Sequence, residues 1–161
     1  MDLKEFFLKQ KTAIRGRTEQ VVGLIRPEHL DWRPEPGALT MGEMLEHLWV
    51  SEEGVRRIAL EGNFAYYQTR VPEGLRATLN GRDLQRNLAE LARVHRETLA
   101  DVTAFPAERF QEERAYEPLG FRRQVQIILF GINEHEIHHR AQLMTYLRML
   151  GTPVPEAIAR Q

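Results

Sequence analysis

The sequence predicts an all-α fold, a four-helix bundle. Two observations carry that prediction: apolar residues recur at helical spacing in four separate segments, and no segment sustains strand alternation between turn signals. At 161 residues the chain fits one domain, 1–161. That length buries roughly 70% of the surface the unfolded form exposes, so folding needs no disulfide or structural metal.

The first helix is expected over Leu3 to Ile25, ended by Pro27, with a loose stripe of Phe6, Phe7, Ile14, Val21 and Leu24. Residues 26–39 hold Pro27, Pro34, Pro36 and Gly37, a turn-rich connector whose Trp32 is expected to press on the bundle. The second helix starts sharply. Thr40 can cap it while Glu43 reaches back, and Met41, Met44, Leu45, Leu48, Val55 and Ile58 follow at helical spacing until Gly62 and Asn63. Between Glu61 and Leu79, Phe64, Tyr66, Tyr67 and Pro72 keep no period, which reads as a lid, a pocket wall or a packed irregular segment. The third helix is expected from Asn80, with Asp83 in its first turn and Leu84, Leu88, Leu91, Leu99 and Val102 on one face, ending before Pro106. The fourth runs from about Phe121 to Leu150, where Gly151, Pro153 and Pro155 stop it.

Charge narrows the function. Lys and Arg number 22 against 23 Asp and Glu, interspersed, for a net charge of −1. No field results that would attract a phosphate backbone or an anionic membrane, so neither nucleic acid nor membrane is an expected partner. Nowhere do 18 apolar residues run together, and Met-Asp-Leu-Lys-Glu-Phe-Phe at the start does not read as a signal peptide. Cysteine is absent, which excludes thiolate ligands and thiol nucleophiles and suits a reducing cytoplasm, the expected location. Histidine and carboxylate remain as metal ligands.

Three of the six histidines fall within five positions of the fourth helix, His135, His138 and His139. Positions four apart differ by about 40° around a helix axis, so His135 and His139 project side by side, where one cation can bridge them. On a wheel both fall inside the stripe of Val125, Ile128, Ile132, Leu143 and Tyr146, and both are expected to face the core. His138 lies about 100° from His139 on the flank; it stays open as an i,i+3 partner of His135, but His139 is the better one. Two imidazoles in an apolar stripe are costly to bury unless a metal coordinates them or neighbouring helices hydrogen-bond them. A third ligand should come from a facing helix, and His47, beside the stripe of the second helix, is the leading candidate. His95, between Leu91 and Leu99, also points inward. His95, His138 and Tyr146 are candidates for orienting a ligand or lining a pocket, and His29 reads as a solvent residue.

Three neutral imidazoles leave a divalent cation its full charge and an open position, which suits hydrolysis or thiol transfer on a small molecule. Zinc or nickel is the expected ion. Glu46, Glu134, Glu136 and His138 are near in sequence, but none can be named catalytic. Two other functions compete. His135-Glu136-Ile137-His138-His139 matches the H-E-x-x-H string of zinc metalloproteases with Glu136 as base, yet no strand-rich segment aligns a peptide and no third histidine follows downstream. A non-catalytic metal-binding or stress-related bundle would leave the same footprint. The second apolar face of the fourth helix, with Ile127, Phe130, Ile137 and Met144, predicts a homodimer that covers it.

Two stretches carry a family resemblance: Asp-Trp-Arg-Pro-Glu-Pro-Gly-Ala-Leu-Thr-Met-Gly-Glu-Met-Leu-Glu-His-Leu (31–48), and Asn-Glu-His-Glu-Ile-His-His-Arg-Ala-Gln-Leu (133–143) with Tyr-Leu-Arg-Met-Leu-Gly-Thr-Pro-Val-Pro after it. They resemble the DinB/YfiT-like family of metal-dependent bundle proteins, over nearly the whole chain. The resemblance implies an up-down-down-up bundle, frequent homodimers and a metal on His47, His135 and His139. For some members it implies transfer or isomerisation with a low-molecular-weight thiol as co-substrate. Ala141 stands where many relatives carry glycine, a small-for-small exchange.

Overall fold

The computed structural model describes residues 2–70 and 79–159. Its long helices are α1 (Leu3–Val22), α2 (Met41–Glu61), α4 (Leu84–Ala104) and α5 (Val125–Met149). Short helices α3 (Ala65–Arg70) and α6 (Glu156–Ala159), a hairpin of β1 (Glu113–Tyr116) and β2 (Phe121–Gln124), and 3-10 turns at Pro27–His29, Ala107–Gln111 and Glu117–Leu119 join them.

Local chemistry starts the helices. Asp2 accepts from the Glu5 amide at the head of α1, Thr40 and Glu43 form the expected reciprocal cap of α2, and Asp83 accepts from the Arg86 amide at the head of α4. Gly62, at φ +69°, closes α2 in the left-handed region that favours glycine.

Three boundaries differ from the sequence expectation. α1 ends at Val22 rather than Ile25, because the chain tightens past Gly23 into three-residue turns, Leu24 N to Val21 O and Ile25 N to Val22 O. Asp83 caps α4 instead of sitting in its first turn: Gly81 takes a left-handed φ of +60°, which interrupts any helix begun at Asn80, and the amides of Asn80 and Gly81 donate to the buried Glu46 carboxylate. Residues 121–124 are not helical but form β2, antiparallel to β1 across a turn at Gly120. Inside the 61–79 connection the unexpected α3 forms, and Pro72 lies outside the described residues.

Side-chain pairings give the helix directions. Trp49 to Asn87 and Arg56 to Asp101 make α2 and α4 parallel, while Lys4 to Thr103 and Arg15 to the Leu91 carbonyl make α1 and α4 antiparallel. Phe7 against Phe130 and Arg140 to the Ile14 carbonyl make α1 and α5 parallel. His47 meets His135 and His139 while Val55 shares a wall with Ile128, so α2 and α5 are antiparallel. The order is up-down-down-up, with α1 diagonal to α2 and α4 diagonal to α5. Met41, Leu45, Leu143 and Leu147 anchor one apolar cluster, and Phe7, Ile58, Val102 and Leu129 the other. Between them lies a layer of buried charge, Lys11, Arg15, Glu52 and Glu136. Trp32 presses edge-on against Tyr146, with ring centroids 5.3 Å apart. Among the described residues no helix is long and apolar enough to cross a membrane.

Candidate metal centre

Where α2 and α5 face one another, His47, His135 and His139 each bring one ring nitrogen to within 4.8 Å of the others. The Nε2 atoms of His47 and His135 are 2.9 Å apart. His47 is buried and the two α5 rings are half-buried. The wheel expectation for α5 needs correcting here: the buried centre of its stripe holds Ile132, Glu136 and Leu143, and His135 and His139 stand on its flank toward α2. That flank is where a ring from α2 can reach them.

Two of the rings are tethered at their outer nitrogen. His139 Nδ1 donates to Gln142 Oε1 at 2.6 Å. Ser51 Oγ, one turn along α2 from His47, lies 3.1 Å from His47 Nδ1 and 3.0 Å from the Tyr66 hydroxyl. Tyr66 reaches that point because its ring lies over Gly54, where any Cβ would strike it. With Nδ1–H donated outward, each tethered ring keeps its Nε2 lone pair free, and His135 Nε2–H can donate to the His47 lone pair. Ser51 and Gln142 do not stand out in the sequence, where the one available signal is that they follow their histidines by four and three positions, whereas Tyr66 belongs to the 61–79 stretch that reads as a lid, a pocket wall or a packed segment.

Burial is the main cause of depressed basicity here, with the neighbouring rings adding to it. His47 is pushed down to about 4 by burial and then by His139, and His135 to about 3 by burial and then by His139 and His47. Burial also lowers His139, against the bond to Gln142. All three are neutral at pH 7, the form that ligates a metal. Imidazole nitrogens bind first-row cations at about 2.0–2.1 Å, so ligands on one ion lie within about 4.2 Å of one another. A small swing of one ring closes the observed spread, and the all-nitrogen donor set fits such an ion.

Glu136 faces away from this cluster. Its carboxylate takes Lys11 Nζ at 2.6 Å and Arg15 Nε at 2.8 Å, and Glu52 Oε2 takes the same two cations at 2.7 and 2.6 Å. Burial raises the Glu136 carboxyl, but Lys11 and Arg15 outweigh it and hold it well below the usual range. The H-E-x-x-H string is thereby left without its base.

The other candidates also lie apart from the cluster. His95 is half-buried beside the charged layer; burial and then Arg15 and Lys11 push it down to about 4, and its Nδ1 has no hydrogen-bond partner. It is not a fourth member of the ligand group, and no backbone carbonyl meets that nitrogen. His138 is exposed, its ring 4.9 Å from that of His139 and outside the ligand group. Tyr146 is buried against Trp32, two turns beyond His139, and does not line the site. Glu46 is spent on loop amides, and Glu134 is exposed.

A sequence profile described as the DinB superfamily matches residues 10–143. The chain belongs to the DinB superfamily. It is 25% identical over 140 residues to YjoA of Bacillus subtilis (strain 168), an uncharacterised protein, covering 85% of this chain and 84% of YjoA. The crystal structure of YjoA matches with a TM-score of 0.72 at 21% identity, over 92% of this chain and 94% of that one. A DinB-like protein of Bacillus cereus ATCC 10987 matches at 0.74 with 18% identity, over 94% and 95%. YfiT from Bacillus subtilis, described as a probable metal-dependent hydrolase with an unusual four-helix bundle topology, matches at 0.72 with 17% identity, over 93% and 89%. At these identities the structural likenesses show the bundle alone.

Beside the imidazoles this DinB-superfamily chain opens a cleft of about 310 Å³ between α2, α5 and β2. His135 belongs to both the cluster and the cleft wall, next to Ser51 and Glu52.

Proposed function

We propose that the protein holds one divalent transition metal on His47, His135 and His139 and uses it to hydrolyse a small molecule that enters through the adjoining cleft. The observation that carries this reading is the outward tethering of two rings, His139 by Gln142 and His47 by Ser51 with Tyr66 behind it, because an imidazole held at Nδ1 is oriented to ligate through Nε2. Zinc and nickel suit the three-nitrogen set. Such a cation supplies Lewis-acid polarisation of a carbonyl or phosphoryl oxygen and activation of water. The chain itself contributes three neutral rings that preserve the cation's charge, Ser51 and Gln142 to fix ring orientation, and a cleft that reaches His135. The description of YfiT as a probable metal-dependent hydrolase is in keeping with this chemistry. A low-molecular-weight thiol, implied by the family resemblance, is the co-substrate to assay beside water.

A homodimer is part of the proposal, on a reduced surface. Phe130 is taken up by Phe6 and Phe7 and Met144 by the core, leaving Ile127 and Ile137 as the exposed apolar residues of that α5 face. Light scattering that gives a clean monomer removes it.

Elemental analysis tests the site. After reconstitution with zinc or nickel, wild type is expected to carry about one equivalent, and His47→Ala and His135→Ala only background. Less than about a tenth of an equivalent in wild type overturns the reading.

A further inference from the structure

We infer that the cleft beside His135 binds a small apolar molecule carrying an anionic group at one end and a hydrogen-bond donor at the other. Calling that molecule the substrate rests on the hydrolase reading above; its binding does not.

Two unspent polar groups and one unfilled helix position define the ligand. Val55, Phe121, Ile127, Ile128 and Ile132 give the cleft apolar walls, and about 310 Å³ places it at the small end of ligand sites. Glu52, 3% exposed, lines it as well. Its Oε2 is spent on Lys11 and Arg15, whereas Oε1 is buried with no hydrogen-bond partner. A buried carboxylate oxygen without a donor is costly; Oε1 has almost no surface open to solvent, so a donor in the cleft meets it once the Glu52 carboxylate turns toward the wall it lines. At the β2 side, Arg123 bonds only to the Arg122 carbonyl and has no carboxylate within ion-pair distance among the described residues. Its neighbours Arg114 and Arg122 are both paired with glutamates. Arg123 is therefore available to an anion, although Glu134 on the same wall opposes one.

Gly131 lies on the α5 wall of this cleft. A Cβ there would meet nothing within 4 Å, so packing does not demand glycine, and glycine weakens a helix interior. The missing side chain leaves the space open. The fitting occupant has a ring or short branched body, a carboxylate toward Arg123, and a hydroxyl or amine donor toward Glu52 Oε1.

Titration calorimetry on the full chain in EDTA tests this independently of any metal. The probes are 4-hydroxyphenylacetate, which carries both groups, phenylacetate, which lacks the donor, and 4-hydroxyphenylacetamide, which lacks the charge. The first is expected to bind about tenfold tighter than phenylacetate, the scale of one lost buried polar contact, and about two- to fivefold tighter than the amide, the scale of an exposed ion pair. Arg123→Gln should erase its advantage over the amide, and Glu134→Gln should tighten it. Gly131→Leu should abolish binding while melting at or above the wild-type temperature. No binding of the first probe, equal binding of all three, or undiminished binding by Gly131→Leu overturns the inference. So does a dimeric mass that reverts to monomer in Gly131→Leu without any probe binding, which would assign the cleft to a second copy. Probe binding as expected in a protein that takes up no metal supports the ligand site and defeats the hydrolase reading instead.

Discussion

Glu136 and Lys11 meet at 2.6 Å inside the bundle, one residue along α5 from a histidine that faces a different neighbour. Removing one partner of a buried ion pair strands the other charge. Glu136→Ala is therefore expected to destabilise the fold by about 3–5 kcal/mol, leaving Lys11 and Arg15 undercompensated. With metal in excess, about one equivalent per folded molecule should remain, since the carboxylate is not itself a ligand, although the loosened helix setting weakens affinity. Urea denaturation and elemental analysis read the two effects separately, and lost metal with normal stability would reverse the assignment.

Ser51 orients His47 without belonging to the ligand group. Ser51→Ala is expected to weaken metal affinity by about 10–100-fold, the usual cost of losing such an outer hydrogen bond. Tyr66→Phe should act in the same direction with a smaller effect. Gly54→Ala should follow it, because the new methyl displaces the Tyr66 ring. Competition with a chromogenic chelator measures all three; an unchanged Ser51→Ala affinity rules this support out.

Stability of the metal-free protein should fall with acidification. His47 and His135 titrate near 4 and 3 in the fold against 6.5 ordinarily, so between those values the unfolded chain binds more protons and folding weakens as pH drops. Each ring contributes a slope approaching ~1.4 kcal/mol per pH unit in that window. Glu136 acts with the same sign lower down: its contribution is present above the ordinary carboxyl value of 4.5 and is lost as pH falls through its depressed folded value. Urea midpoints at pH 7, 6 and 5 check this, and a flat profile would contradict it.

Gly131→Ala is expected to stabilise the chain by about 0.5–1 kcal/mol, since the helix interior gains a better former and the methyl meets open space. Thermal unfolding measures it. A loss of stability would mean that α5 uses the glycine for packing.

The bundle was legible because four segments keep the helical period and because caps at Thr40 and Gly62 use residues whose chemistry is local. The pairing of His135 with His139 followed from spacing alone. The hairpin did not show, since each strand has four residues and Arg122 and Arg123 point no apolar face anywhere. The charged layer was hidden for a different reason. In α1 the buried positions Phe7, Lys11, Ile14, Thr18 and Val21 form one stripe with a lysine inside it, and Glu136 sits likewise between Ile132 and Leu143 in α5. A wheel built on apolar residues steps over such positions and so centres the α5 face on the histidines rather than on Glu136. Only the facing helix reveals that an inward charge has a counterpart.

Lys11 and Arg15 on α1 each engage Glu52 on α2 and Glu136 on α5. Sliding any of these helices by one turn would separate several opposite charges at once, a penalty that interchangeable leucines do not impose. The layer works as a keyway that admits one axial setting of three rods. Because Glu52 and Glu136 share their rods with His47 and His135, the same setting decides where the imidazoles converge, so accuracy at the cation site is inherited from charges that never touch it.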